Sequence, residues 1–123
     1  MDHPVRVLLA NRPRALRTRL AGLFQLQSDI EVVGTVLDPI ELLMAVEDTQ
    51  ADVVVMTLPD SREVPGICSH LLYEYPRLLI LALSSTRTRA CVYRQVITVE
   101  QLSYTSDEEI LVAVRKAKDD SIS

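Results

Sequence analysis

Short apolar runs alternate with longer stretches of mixed polarity along the chain. The runs cover residues 5–10, 30–36, 53–56 and 78–83, and a weaker one covers 96–102. Most of them lack polar alternation, which is typical of strands that are covered on both faces of a sheet. The pattern therefore predicts a parallel sheet between two layers of helices.

The stretches between the runs carry helix signals. In the first stretch the apolar residues fall on one helical face, namely Leu16, Leu20, Leu23 and Phe24. In the second, Asp38 suits the N-cap and Pro39 the first helical position. The third predicted helix spans 64–75, and the fourth spans 86–95 with a poor apolar pattern. The last begins at the capping box Ser106-Asp107-Glu108-Glu109.

Five strands that alternate with five helices predict a doubly wound sheet with right-handed crossovers. For 123 residues the fitting α/β arrangement is flavodoxin-like, a five-stranded parallel sheet in the order 2-1-3-4-5 with helices on both faces. We expect a single domain over residues 1–118 and a frayed tail over 119–123.

Composition narrows the function classes. The formal charge of −4 gives no general attraction to nucleic acid or to an anionic membrane. No apolar run approaches the roughly 18 residues of a membrane span, and the N-terminus lacks the features of a signal peptide, so we expect a cytoplasmic location. Cys68 and Cys91 have no CxxC spacing, which favours reduced, buried thiols.

The chain resembles the receiver domain of bacterial two-component response regulators over residues 4–118. Four segments carry the resemblance: VRVLLANRP at 5–13, DIEVVG at 29–34, DVVVM at 52–56 and EEILVAVR at 108–115. The second segment is similar to the branch whose members usually carry a C-terminal helix-turn-helix. The resemblance implies a CheY-like fold and a role in signal transduction and transcription regulation.

Receiver function rests on five positions at the strand exits. Two acidic residues hold Mg²⁺, an Asp accepts the phosphoryl group, a Ser or Thr senses it, and a Lys contacts it. The resemblance places these positions at Ala10 and Asn11, at Thr57, at Ser84, and near Ser103. Only the hydroxyl at Ser84 is retained.

The substitutions remove the chemistry of the site. Mg²⁺ prefers hard oxygen ligands, and a receiver-type site relies on carboxylates to hold it. The neutral Thr57 hydroxyl cannot form the acyl phosphate that a carboxylate forms. Asp60 is a remaining carboxylate, but its place after Pro59 is typical of a solvated loop acid. No residue set has metal-ligand spacing, so we expect no catalysis, no metal and no cofactor.

Two functions remain open for such a chain. The first is a degenerate, phosphorylation-independent receiver that acts as a regulatory protein-interaction or dimerisation module. The alternative is a pseudo-receiver that binds a small molecule in the vacated pocket at the carboxyl ends of the strands. An enzyme of unrelated chemistry ranks last, because no paired acid and base or activated nucleophile is present.

Five residues are candidates for an interface: Leu111, Val112, Arg87, Arg89 and Arg94. Val112 lies almost opposite the apolar face of the last predicted helix and Leu111 lies at its margin, while the arginines lie near the predicted fourth helix. We therefore expect a protein partner, or a homodimer through the face of the fourth and fifth helices. We expect no direct nucleic acid binding by this chain and no membrane contact.

A basic cluster lies at the first predicted helix, formed by Arg12, Arg14, Arg17 and Arg19. One interpretation is a docking site for phosphate or for an acidic partner. The other is a solvated helix exterior, and the helical wheel favours it because the arginines surround every face that the leucines leave open.

Overall fold

The structure, a computed structural model, describes residues 3–58, 66–94, 99–102 and 106–119. The elements in chain order are β1 (Val5–Ala10), α1 (Arg14–Gln25), β2 (Ile30–Thr35), α2 (Pro39–Thr49), β3 (Val53–Thr57), α3 (Gly66–Glu74), β4 (Leu79–Leu83), β5 (Ala90–Tyr93), β6 (Val99–Leu102) and α4 (Asp107–Asp119).

The strands form one six-stranded sheet in the order β2-β1-β3-β4-β5-β6. The first four run parallel to one another. Strand β5 is antiparallel to both of its neighbours, so β6 points the same way as β4. The α/β class and the order of the parallel strands are confirmed, with one antiparallel strand added before the last.

The predicted helix at 86–95 is wrong, because this segment supplies the antiparallel strand that the sheet has beyond the five predicted ones. Residues Ala90–Tyr93 form β5, and all four of its side chains are buried. Val92 packs in one core cluster and Cys91 in the other. Burial on both faces is what a central strand provides, whereas a surface helix would need a polar side. The β-formers Val92 and Tyr93 were the signal for a strand.

Two helical layers cover the sheet, as predicted. The helices α1 and α4 pack on one face through Leu20, Phe24 and Val114. The helices α2 and α3 pack on the other face through Leu42 and Leu71. We call these the α1/α4 face and the α2/α3 face. The aliphatic strands lie between them. Because β1 to β4 run parallel, their carboxyl ends lie at one edge of the sheet.

The predicted starts of α2 and α4 are confirmed. The side chain of Asp38 accepts hydrogen bonds from the N–H groups of Ile40 and Glu41 at 2.8 and 3.1 Å. Before α4, Ser106 Oγ accepts from Glu109 N at 3.2 Å, and Glu109 Oε1 accepts from Ser106 N at 3.0 Å. These bonds satisfy backbone donors that a helix N-terminus otherwise leaves without partners.

Some predictions lie partly outside the described residues. These are the first two residues of the third helix, the start of the last strand, and the tail at 120–123. Helix α4 extends to Asp119, one residue past the predicted domain boundary. Within the described ranges, no helix has the length and apolar character that crossing a membrane requires.

Candidate functional site at the carboxyl ends of the strands

Strand register brings four of the five predicted site positions, Ala10, Asn11, Thr57 and Ser84, to one edge. Ala10 pairs with Met56, and Thr57 pairs with Leu83. The exits of β1, β3 and β4 therefore lie side by side, as expected at the carboxyl ends of parallel strands. Ser103 and Asp60 lie outside the residues that the structure describes.

The hydroxyl of Thr57 joins the exits of β1 and β3. Thr57 Oγ1 accepts a hydrogen bond from Arg12 N at 2.8 Å and donates one to Arg12 O at 3.1 Å. A hydroxyl has a single hydrogen to donate, and here that hydrogen is used within the fold. The residue at the position of the phosphoryl acceptor therefore connects the exits of two strands through hydrogen bonds to the backbone of Arg12.

The hydroxyl of Ser84 closes the turn between β4 and β5. Ser84 Oγ accepts from Arg89 N at 3.1 Å, and Ser84 N donates to Arg89 O at 2.9 Å. Inside this turn Arg87 adopts a left-handed conformation with φ of 63°. Ser84, which the resemblance places at the phosphate-sensing position, thus stabilises the turn that leads into β5.

Asn11 is the most deeply buried polar residue of the site. Its exposed fraction is 0%, and neither amide atom has a hydrogen-bond partner among the described residues. Its backbone oxygen accepts from Arg17 Nη1 at 2.8 Å. A buried polar group without a partner destabilises a fold by about 1–3 kcal/mol. The Asn11 amide thus differs from the Thr57 and Ser84 hydroxyls, which have hydrogen-bond partners within the chain. Ala10 beside it is half-buried and offers no polar side chain.

Two of the three arginines predicted at the interface hold α4 in place. The Arg87 side chain is 10% exposed, and its Nη2 lies 2.9 Å from Asp107 Oδ1 at the start of α4. Arg94 Nη2 donates to Lys116 O at 2.6 Å near the end of α4. The prediction that Arg87, Arg89 and Arg94 lie beside a fourth helix is wrong, since they flank β5 in a turn and at the strand end. Of the three, only Arg89 is exposed.

The other interface candidates lie on α4. Val112 is 56% exposed, whereas Leu111 is half-buried and packs against the core of the α1/α4 face. The outer side of α2 also carries exposed apolar side chains, Ile40 and Met44.

Two surface cavities flank the sheet in the described part of the chain. One cavity, of about 390 Å³, lies at the amino ends of the strands, opposite the candidate site. Its wall includes Glu47, Asp52, Tyr75 and Arg77. The other, about 440 Å³, lies between the start of α1 and the β4–β5 turn, and it is lined by Pro13, Ala15, Leu16, Arg19, Ser85, Thr86 and Arg87. Ala10, Asn11, Thr57 and Ser84 line neither cavity.

The cysteines are structural. Both are buried and unpaired, and Cys68 Sγ lies 3.5 Å from Met56 Sδ. Burial, with a smaller contribution from nearby Cys91, raises the pKa of the Cys68 thiol to about 12, which removes the thiolate that reactivity needs. The described ranges hold no group of three or more His, Cys, Asp or Glu residues able to hold a metal ion.

Removing the Thr57 hydroxyl will weaken the link between β1 and β3. We expect Thr57→Val, which keeps the shape and a strand-forming side chain, to lower the free energy of unfolding by about 1 kcal/mol, because Arg12 loses two hydrogen bonds. Thr57→Ser keeps the hydroxyl and serves as the control. Urea unfolding followed by circular dichroism measures both, and equal stability of wild type and Thr57→Val would contradict the structural role.

A carboxylate at position 11 will destabilise the fold at neutral pH. Because the site is buried, we expect the pKa of the new carboxyl in Asn11→Asp to rise above its unfolded value of about 3.9. The variant then loses at least about 1.4 kcal/mol at pH 7, the equivalent of one pKa unit, and regains it as the pH falls towards 4.

The control for this variant is Asn11→Leu, which replaces the unpartnered amide with an apolar group of similar size. It should be at least as stable as wild type, and its stability relative to wild type should not change with pH. Melting curves recorded in the absence of magnesium at several pH values measure the stability of both variants and of wild type. An Asn11→Asp variant that is as stable as wild type at pH 7 would show that the position accommodates charge.

No protein-family model matches the chain, and no curated protein matches it in sequence. Five chains of solved structures match it. Among them is the crystal structure of the response regulator domain of Thermotoga maritima CheB, with a TM-score of 0.55, 18% identity, and coverage of 94% of this chain and 73% of that chain. Identity at this level shows the fold alone, and the chain has the CheY-like fold of a receiver domain.

Proposed function

We propose that this chain is a degenerate receiver domain, which works without phosphorylation as a regulatory protein-interaction module. One observation carries the proposal. The residue at the acceptor position is Thr57, and its hydroxyl both donates to and accepts from the backbone of Arg12. A receiver uses this position as a carboxylate nucleophile, whereas here a neutral side chain is engaged in holding two strands together.

The donor set does not fit the magnesium ion of a receiver. Mg²⁺ binds through carboxylates and retained waters in near-octahedral geometry. Ala10 supplies no donor, and Asn11 supplies one neutral amide that is fully buried. These two residues therefore do not support magnesium-dependent phosphoryl transfer, and we propose that the chain is not an enzyme.

The added strand changes which surface would serve a partner. A dimer through the face of a fourth and fifth helix would require a helix where residues 90–93 form β5. The outer side of α4, with Val112 exposed and Leu111 at its margin, is the part of that face that remains. Regulation through protein contacts in the cytoplasm, in signalling and transcription, follows from the resemblance to the helix-turn-helix branch.

Small-molecule sensing is a second candidate function, and a single observation favours it. The two amide atoms of Asn11 lack partners among the described residues, so a polar ligand or an ordered water would satisfy them. Against this stands the engagement of Thr57 and Ser84 in internal hydrogen bonds, which leaves little of the vacated pocket free.

Phosphorylation chemistry tests the leading proposal directly. Incubation with radiolabelled acetyl phosphate and Mg²⁺ should leave no label on the chain, because no carboxylate stands at the acceptor position. A response regulator with an intact acidic site, run in parallel, controls for the reagent. Label that depends on Mg²⁺ and is released by hydroxylamine would reveal an acyl phosphate and overturn the proposal.

A thermal-shift screen of nucleotides and metabolites at millimolar concentration separates the second candidate from the first. A ligand that binds only the native state raises stability by RT ln(1 + [L]/Kd), about 2.7 kcal/mol at a hundredfold excess over Kd. The leading proposal predicts no shift that depends on Asn11. A shift with wild type that disappears in Asn11→Leu would establish ligand sensing at this edge.

A further inference from the structure

Helix α1 and the residue before its cap carry charge of one sign only. Arg12, Arg14, Arg17 and Arg19 lie within eight residues, and no Asp or Glu occurs from residue 3 to residue 28, although the whole chain has a net charge of −4. Four of the thirteen basic residues of an acidic protein are thus concentrated at one helix, and a local block of positive charge is common where a protein recognises an anionic partner.

The start of α1 is electrostatically unfavourable by itself. The N-terminus of a helix carries partial positive charge, so carboxylates stabilise it and cations destabilise it. Here the cap residue is Pro13, which makes no side-chain hydrogen bond, and the first turn contains no acidic residue. Arg14 instead occupies the first helical position. A cation at this position does not stabilise the helix. Residues that lower local stability in this way are expected at functional sites.

The positive charge of this surface is only weakly neutralised. Among the described residues, the side chains of Arg12 and Arg14 make no hydrogen bond or ion pair, and both residues are exposed. Arg19 Nη2 lies 3.9 Å from Asp107 Oδ1, and the Arg19 side chain is 66% exposed. An exposed pair at that distance contributes little, so three guanidinium groups remain available to an external anion.

Gly22 is a second local conflict on the same helix. It is exposed in the interior of α1, and a Cβ placed on it would meet nothing within 4 Å. Packing within the chain therefore does not require glycine, which destabilises a helix interior by about 1 kcal/mol relative to alanine. Ala15 and Thr18 are exposed on the same side at helical spacing, so the outer face of α1 is a flat stripe between Arg14 and Arg19.

The stripe leads into the cavity of about 440 Å³ at the start of α1. Pro13 and Leu16 form an apolar part of its wall, and Arg19 and Arg87 also line it. The buried Arg87 side chain is held in place by Asp107. The cavity thus combines apolar residues with Arg19, whose exposed guanidinium is only weakly paired, and this combination suits a carboxylate side chain on a peptide.

We propose that the outer face of α1, with this cavity at its base, is the docking surface for an acidic segment of a partner protein. The inference rests on the proposed role as an interaction module and names the chemistry of its partner. Carboxylates on the partner would supply the negative charge that the start of α1 lacks, and complementary charge would orient the encounter. The stripe of Ala15, Thr18 and Gly22 would let the partner's backbone approach closely.

Fluorescence anisotropy with defined peptides tests the surface on the full chain. The probe is a fluorescein-labelled helical peptide of glutamate and alanine, and the matched peptide has lysine in place of glutamate. We expect binding of the glutamate peptide only, weakening as salt rises. Arg14→Gln and Arg19→Gln should each weaken binding about two- to fivefold. The charge-matched control is Arg77→Gln, an exposed arginine at the opposite edge, which should leave binding unchanged.

Gly22→Leu separates docking from folding. The open space around Gly22 predicts that this variant folds with a raised melting temperature, while its side chain obstructs the stripe and weakens peptide binding.

Failure of the glutamate peptide to bind, equal binding of both peptides, or equal loss in Arg77→Gln would overturn the inference. So would tighter binding of a single-stranded RNA with the same arginine dependence, which would indicate a nucleic acid surface. Each of these results leaves the phosphorylation test unaffected, so the two proposals fail separately.

Discussion

The hydrogen bonds between the Thr57 hydroxyl and the backbone of Arg12 are the contact on which the functional edge depends. Parallel strands end at one edge, where their exit loops carry backbone groups that need partners. In this chain a side chain of one exit satisfies both the N–H and the C=O of the other. The Thr57 hydroxyl is thereby engaged within the fold, and this engagement is the main support for the proposed phosphorylation-independent interaction module.

The added strand β5 depends on the same principle. The Ser84 hydroxyl accepts from Arg89 N and closes the turn that reverses the chain. The residues flanking β5 then reach both ends of α4, through Arg87 to Asp107 and through Arg94 to the carbonyl of Lys116. The β4–β5 turn and the end of β5 thus help to position both ends of α4.

Sequence patterns predicted most of the fold for identifiable reasons. The strands were found because aliphatic runs without polar alternation are typical of a covered parallel sheet, and α2 and α4 because Asp38 and Ser106 are capping residues. The segment 86–95 was misassigned because four buried residues are too few to show a period. The site positions were identified by resemblance, and register places four of the five at adjoining strand exits. What they contact was not predictable, because the partners of Thr57 and Ser84 are backbone atoms that no side-chain pattern reveals.

Amide chemical shifts with and without a phosphoryl mimic test the central claim most directly. The measurement compares two-dimensional NMR spectra of the labelled chain alone and with Mg²⁺ and beryllium trifluoride. Because the Thr57 and Ser84 hydroxyls are engaged internally and neither Ala10 nor Asn11 supplies a carboxylate for the metal, we predict unchanged signals for Asn11, Arg12, Thr57 and Ser84. Saturable shifts of these amides that require both reagents would contradict it, since they would show a working phosphoryl site at the edge of the sheet.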